Sequence, residues 1–347
     1  MSVAYVDGSG ASGVYGNDTI VVAGSSATWE VGVAITENTA YTADDIVSGI
    51  IGMSYGNPEE NSTRVDRTSN PAWWAFVHEW TNEEFGLYVA PPENVTSYVD
   101  WTTHPRGSET ELGGLLTLGG VEENLFKDKL NYVPIVNGTA GVDWEIPVDA
   151  VNGVAVDRTT AFIDSGTSFL MGPTDQIRQG LLGQNVDARL DTVGDGSQYF
   201  TYSCQYANSI EWTFTFGGQN YTIPSQYLSQ EFDGLGRCMF VIVPDSENNY
   251  YIVGDAFLYG VYSAYRAGNN PAVGLAHVSD DAQKWLAAYS KNGGVEPSGF
   301  VSDSASATGS GSASKPSSST VSSNNAAGAL APSFGALLVA SLAAFFL

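Results

Sequence analysis

Between residues 1 and 278 the apolar positions fall in short runs, separated by Gly, Asn, Asp and Pro. Residues 19–22, 29–35, 85–89, 115–118, 212–216 and 240–243 are the clearest of these, and their length and β-branched or aromatic content predict strands. A helical period is visible in three places: 71–80, 173–182 with Thr174 as its cap, and 280–291, which the Gly293-Gly294 pair should end. Three helices are too few to cover both faces of a parallel sheet, so the pattern predicts a mainly β protein. Residues 48–55 and 251–258 both read apolar, apolar, Gly, then apolar again, a weak echo that hints at two related lobes.

The pattern changes after residue 293. Residues 302–323 hold 11 Ser in 22 positions, a composition that buries too little apolar surface to offset its ordering entropy. It reads as a stalk. Beyond Lys315 no charged residue follows, and the chain ends in the apolar run 334–347. Small residues around Asn325, a short spacer and an apolar stop form the pattern of a glycosylphosphatidylinositol attachment signal, with Asn325 favoured over Asn324 or Ser323. A tail-anchored helix is the alternative, but the run is short for a span and has no flanking base. Lipid attachment belongs to the secretory lumen, yet residues 1–25 carry no basic and apolar leader. Sequons at Asn17, Asn61, Asn94, Asn137 and Asn220 agree with the lumen. The expectation is therefore that Met1 is not the natural start.

Composition excludes several classes of function. Of the 347 residues 13 are Lys or Arg and 38 are Asp or Glu, for a net charge of −25. Such a chain has no cationic footprint for nucleic acid. With two Cys and three scattered His, and no paired ligand motif, no metal site and no cofactor are expected. The acid excess suits a secreted protein that stays soluble at low pH.

Three motifs could carry chemistry. Gly8-Ser-Gly-Ala-Ser-Gly13 fits a dinucleotide loop, but a strand pattern follows it where a helix is required, so a hairpin turn is the better reading. Gly52-Met-Ser-Tyr-Gly56 fits a serine nucleophile elbow, with Ser54 as nucleophile and His277 later in the chain. A polar, Pro-broken stretch follows it, which favours a core turn. Asp164-Ser-Gly-Thr-Ser168 follows the apolar run 161–163, so its Asp should emerge at the end of a buried strand. Gly166 would allow a close turn, and Thr167 and Ser168 would supply hydroxyls to fix the carboxylate.

Around this last motif the sequence resembles the pepsin-like aspartic proteases, especially the fungal cell-surface kind. Residues 162–174 resemble the family's second catalytic loop and the helix after it, and 251–258 through 270–276 its C-terminal signature. Residues 144–149 resemble the start of the second lobe, 49–53 the apolar loop beneath the first catalytic turn, and 4–13 the flap. The resemblance implies a bilobal pepsin-like acid protease fold. It makes Asp164 catalytic, places Tyr5, Gly8, Ser9, Gly166, Thr167 and Ser168 at the substrate, and pairs Cys204 with Cys238 in a disulfide.

The division it implies is a truncated N-terminal lobe with the flap (1–125), a C-terminal lobe (126–292), the stalk (293–323) and the attachment signal (324–347). The expected partners are peptide or protein substrates, with a lipid anchor to the membrane and a monomeric state at the cell surface or in secretion. The family carries one D[ST]G per lobe; here no second one occurs. One carboxylate cannot both activate water and donate a proton, so this form of the chain is expected to be incomplete or inactive. The alternatives are a non-catalytic pseudo-protease that binds peptides, and a serine hydrolase using Ser54.

Overall fold

The computed structural model describes residues 2–4, 10–38, 50–56, 71–91, 113–136, 143–193 and 196–297. They are mainly β, in five antiparallel or mixed sheets, as the sequence pattern predicts. Three helices accompany them: α1 (Thr174–Gly183), α2 (Asp255–Leu258) and α3 (Ala282–Lys291).

Alternation along Trp212–Phe216 shows why these segments are strands. Trp212, Phe214 and Phe216 are fully buried, while Thr213 and Thr215 face outward and bond across the ladder to Thr222 and Asn220. Glu84–Val89 is instead buried at every position, because it lies between Gly114–Leu118 and Val261–Arg266 inside a sheet completed by Ala272–His277 and Asn131–Pro134. Gly86 is required there: a Cβ would sit 2.0 Å from the Tyr262 hydroxyl. This sheet joins strands from early and late in the chain, and one hydrophobic core extends from Tyr55 and Trp73 to Leu275.

Several boundaries differ from the expected ones, each for a local reason. Residues 71–80 form 3₁₀ turns at Ala72–Ala75 and Val77–Glu79, a tighter winding that puts Trp73 and Phe76 on the same buried side. Thr174 is the first residue of α1, which is preceded by Pro173 and has no side-chain cap. The run 240–243 is split at Val241, where the chain changes sheets: Val241 donates to the Leu228 carbonyl and accepts from Leu170 N–H. The runs 19–22 and 29–35 belong to one long hairpin, Gly10–Val22 with Ser25–Asn38, turning at Ala23-Gly24 with both φ positive. The echo between 48–55 and 251–258 is not kept: Tyr250–Val253 is a strand leading into α2, whereas 50–56 has no regular structure.

The expected disulfide is present. Cys204 and Cys238 are joined, closing a sequence separation of 34. Among the described residues no helix is long and apolar enough to cross a membrane.

Candidate active site

Asp164 stands one residue past the strand Thr160–Ile163, a position fixed by sheet pairing on both sides. Phe162 pairs with Ile252 of Tyr250–Val253 and with Glu145 of Glu145–Pro147, and Asp164 N–H still reaches the Val253 carbonyl at 3.0 Å. The chain then turns sharply back on its own carboxylate. Gly166 N–H donates to Asp164 Oδ1 at 2.9 Å, and the Thr167 hydroxyl donates to Oδ2 at 2.7 Å.

Ser168 does not take the role expected of it. Its hydroxyl makes no bond to Asp164, because by this position the chain has turned into contact with α2, where the Ser168 carbonyl accepts Ala256 N–H at 3.2 Å. Gly166 contributes its N–H and keeps an ordinary negative φ.

The loop is clamped from behind by the start of α2. Asp255 N–H donates to the Thr167 carbonyl at 2.7 Å. Gly254 permits this approach, since a Cβ there would lie 1.9 Å from the Thr167 carbonyl oxygen and 2.2 Å from that of Phe169.

Burial raises the Asp164 carboxyl above its usual range, opposed by the bonds from Thr167 and Gly166, which favour the charged form. Asp255 is 1% exposed with no partner for Oδ1, and burial pushes it well above the carboxylate range, with Asp164 adding to the effect. Asp143 is raised by burial, then by Asp164 and Glu145. Tyr265, packed against Phe85 and Trp144, is raised by burial and by both Asp164 and Asp255. The site is a partly buried carboxylate among other acids. It suits proton transfer with a bound water or carbonyl.

Asp143, Glu145 and Asp255 were given no role on sequence grounds. Local pattern carries no signal for them: Asp143 precedes the strand Glu145–Pro147, and its place beside Asp164, like the burial of Asp255, depends on how segments distant in sequence pack.

Other expected positions fall variously. Tyr5, Gly8 and Ser9 lie outside the described residues, as do Asn61, Asn94, Asn137 and Asn325. Asn17 and Asn220 are exposed on strands. The 2–4 and 10–12 segments pair antiparallel, as the hairpin reading of the Gly-rich motif requires. Around Ser54 three indoles fix the backbone: Trp144, Trp73 and Trp74 donate to the carbonyls of Met53, Ser54 and Tyr55 at 2.8, 2.8 and 2.5 Å. Among the described residues no histidine is hydrogen bonded to Ser54, and His277 packs on Tyr221.

Comparison with known proteins agrees with this geometry. Residues 1–278 match the family described as eukaryotic aspartyl protease. An aspartic protease of Phaffia rhodozyma is 29% identical over 277 residues, covering 78% of this chain and 61% of that protein. Pepsin A of Rhinolophus ferrumequinum is 28% identical over 290 residues and pepsin A of Canis lupus familiaris 27% over 289, each covering 80% of this chain and 66% of the relative. The chain thus spans between 61% and 66% of the length of these relatives.

Proposed function

The chain belongs to the eukaryotic aspartyl proteases, and from that premise we propose that it is an aspartic endopeptidase in which Asp164 is one of the two catalytic carboxylates. The observation that carries this reading is the Asp164 carboxylate itself, partly buried and held by Gly166 N–H and the Thr167 hydroxyl. In the reaction, one ionised carboxylate takes a proton from water as its oxygen attacks the peptide carbonyl carbon. The protonated partner donates to the carbonyl oxygen, and the resulting tetrahedral diol collapses with the C–N bond breaking and the amine gaining a proton. Two such groups about 3 Å apart share one proton because both cannot ionise together.

The sequence contains a single D[ST]G, and the reading assigns one carboxylate of the pair to it. The second reading is a protein that binds peptides without cutting them.

Finer parts of the proposal rest on sequence pattern. They are a C-terminal lobe following residue 126, a flap from Tyr5 to Ser9, glycosylation at Asn17 and Asn220, and lipid attachment at Asn325. The disulfide supports an oxidising compartment, at the cell surface or in secretion.

The test is cleavage of a denatured protein substrate at acid pH by the full-length polypeptide and its Asp164→Asn variant. Endopeptidase function expects the variant to lose about 10³-fold or more in kcat with an unchanged circular dichroism spectrum. Equal rates would sink the assignment of Asp164. Binding without cleavage by the unmodified protein would establish the second reading.

A further inference from the structure

Glu84–Val89 and Val261–Arg266 pair antiparallel, with Glu84 opposite Arg266 and Phe85 opposite Tyr265. Side chains alternate along a strand. Phe85 and Tyr265 stack on each other on the face near Asp164, so Glu84 and Arg266 lie on the opposite face. Tyr132, from Asn131–Pro134, meets them there: its hydroxyl donates to Glu84 Oε1 at 2.5 Å, and the Arg266 guanidinium carbon sits 4.2 Å from its ring centroid. These three side chains line a recess of about 730 Å³ whose wall is otherwise mostly polar and includes Asn82, Asn269 and Asn270. That volume is within the range of small-ligand sites.

Arg266 is half-buried, and its charge has no carboxylate partner. Its Nε donates to the Asn270 carbonyl at 3.2 Å, which together with the Tyr132 ring fixes the plane of the guanidinium. Among the described residues its two terminal amino groups have no hydrogen-bond partner, and no carboxylate forms an ion pair with it. Arg158, Arg189 and Arg237 each have an aspartate, at 3.7, 2.8 and 3.9 Å, and Arg178 is exposed. With 38 acidic residues to 13 basic ones in the chain, a partly buried arginine without such a partner is an exception. The carboxylates beside it are engaged elsewhere: Glu84 is 8% exposed and accepts from Tyr132, while Glu83 Oε2 lies against Gly268, where a Cβ would be 2.4 Å away. A guanidinium held flat with both terminal amino groups open offers two parallel donors, the fork that matches a carboxylate.

We propose that this recess binds a small hydroxylated carboxylate, a sugar acid or hydroxy acid, with the carboxylate on the terminal amino groups of Arg266 and the hydroxyls among the Asn82, Asn269 and Asn270 side chains. Two features select this chemistry. Side-chain amides both donate and accept, as hydroxyls do, so a wall of them suits a ligand with several hydroxyls better than an apolar one. A net charge of −25, with Glu83 and Glu84 in the same wall, repels a dianion about twice as strongly as a monoanion, which favours a carboxylate over phosphate. The recess is on the face of the sheet turned away from Asp164, so the proposal stands apart from the endopeptidase reading.

The experiment is isothermal titration calorimetry of the full-length polypeptide, in a buffer free of carboxylate and phosphate, with glucuronate, gluconate, glucose and inorganic phosphate as separate titrants. The expected result is saturable binding of glucuronate or gluconate with a Kd of about 1 mM or tighter, and binding of glucose, which lacks the carboxylate, at least about tenfold weaker. Tighter glucuronate identifies a ring-form sugar acid and tighter gluconate an open-chain hydroxy acid; both support the site. Arg266→Lys keeps the charge but loses the paired donors, and should weaken binding about tenfold. Asn269→Ala, at an exposed position, should weaken it about threefold, and it decides the matter if Arg266→Lys does not fold. The proposal is overturned if neither acid binds saturably, if glucose or phosphate binds as tightly as the better acid, or if affinity is unchanged in a folded variant.

Discussion

Thr167 and Gly166 act on Asp164 against its burial. Each hydrogen bond stabilises the carboxylate, while removal from water destabilises it, and the net effect is a carboxyl raised above its ordinary range. Thr167→Val removes the hydroxyl and leaves burial less opposed. A bond to a charged group is worth about 1.5–3 kcal/mol, so the acid limb of the pH profile of kcat/KM should move upward by about one to two pH units. A profile that stays in place would show that Thr167 shapes the loop without tuning the carboxylate. Ser168, the neighbouring hydroxyl, serves as the negative comparison, since its side chain makes no bond to Asp164.

Among the elements, α2 decides how rigid the loop carrying Asp164 is. It is four residues long, with Asp255, Ala256, Phe257 and Leu258 all buried, and its first two N–H groups are given to the Thr167 and Ser168 carbonyls. Gly254 makes that contact sterically feasible. Gly254→Ala should therefore separate α2 from the loop and cost about 3 kcal/mol through forced backbone displacement, read as a lower urea midpoint. A loss below about 1 kcal/mol would mean the junction relaxes easily and is no clamp. The edge strand Glu145–Pro147 has a different part: its pairing with Thr160–Ile163, continued by the Ile163 N–H bond to the Trp144 carbonyl, leaves Asp143 near enough to Asp164 to be raised by it, although the two are 21 positions apart in sequence.

Over the whole molecule, raised carboxyls set the direction of pH stability. Asp143, Asp164 and Asp255 all hold their protons to higher pH in the folded protein than at the unfolded value of about 3.9. Their contribution is fully present below that value and is lost as pH rises through the folded ones. Among the described residues the titratable groups that interact with Asp255 are Asp164, Tyr259 and Tyr265, none of them basic, and a net charge of −25 adds repulsion in the same direction. Asp191, lowered by the Thr201 hydroxyl and then by its arginine neighbours, works the opposite way, but it is partly open to solvent and screened. The melting temperature should be highest near pH 4 and decline towards pH 7, less steeply in Asp255→Asn; a flat or rising curve would overturn this account. Much of the architecture was legible beforehand, because strand alternation and the Gly293-Gly294 stop are local signals. The resemblance around residues 162–174 and 251–276 named the family, the disulfide and Asp164. Trp73 and its neighbours could not be read in the same way: an apolar run gives no local choice between an α-helix and the 3₁₀ turns that seat those rings in the core. Local pattern and motif, which depend on neighbours along the chain, thus determined the β class and the position of Asp164. Only tertiary structure decided that Ser168 makes no bond to Asp164, that Asp255 is buried with its Oδ1 unpartnered and that Asp143 lies near Asp164, because each depends on a ladder or a docking contact between segments distant in sequence.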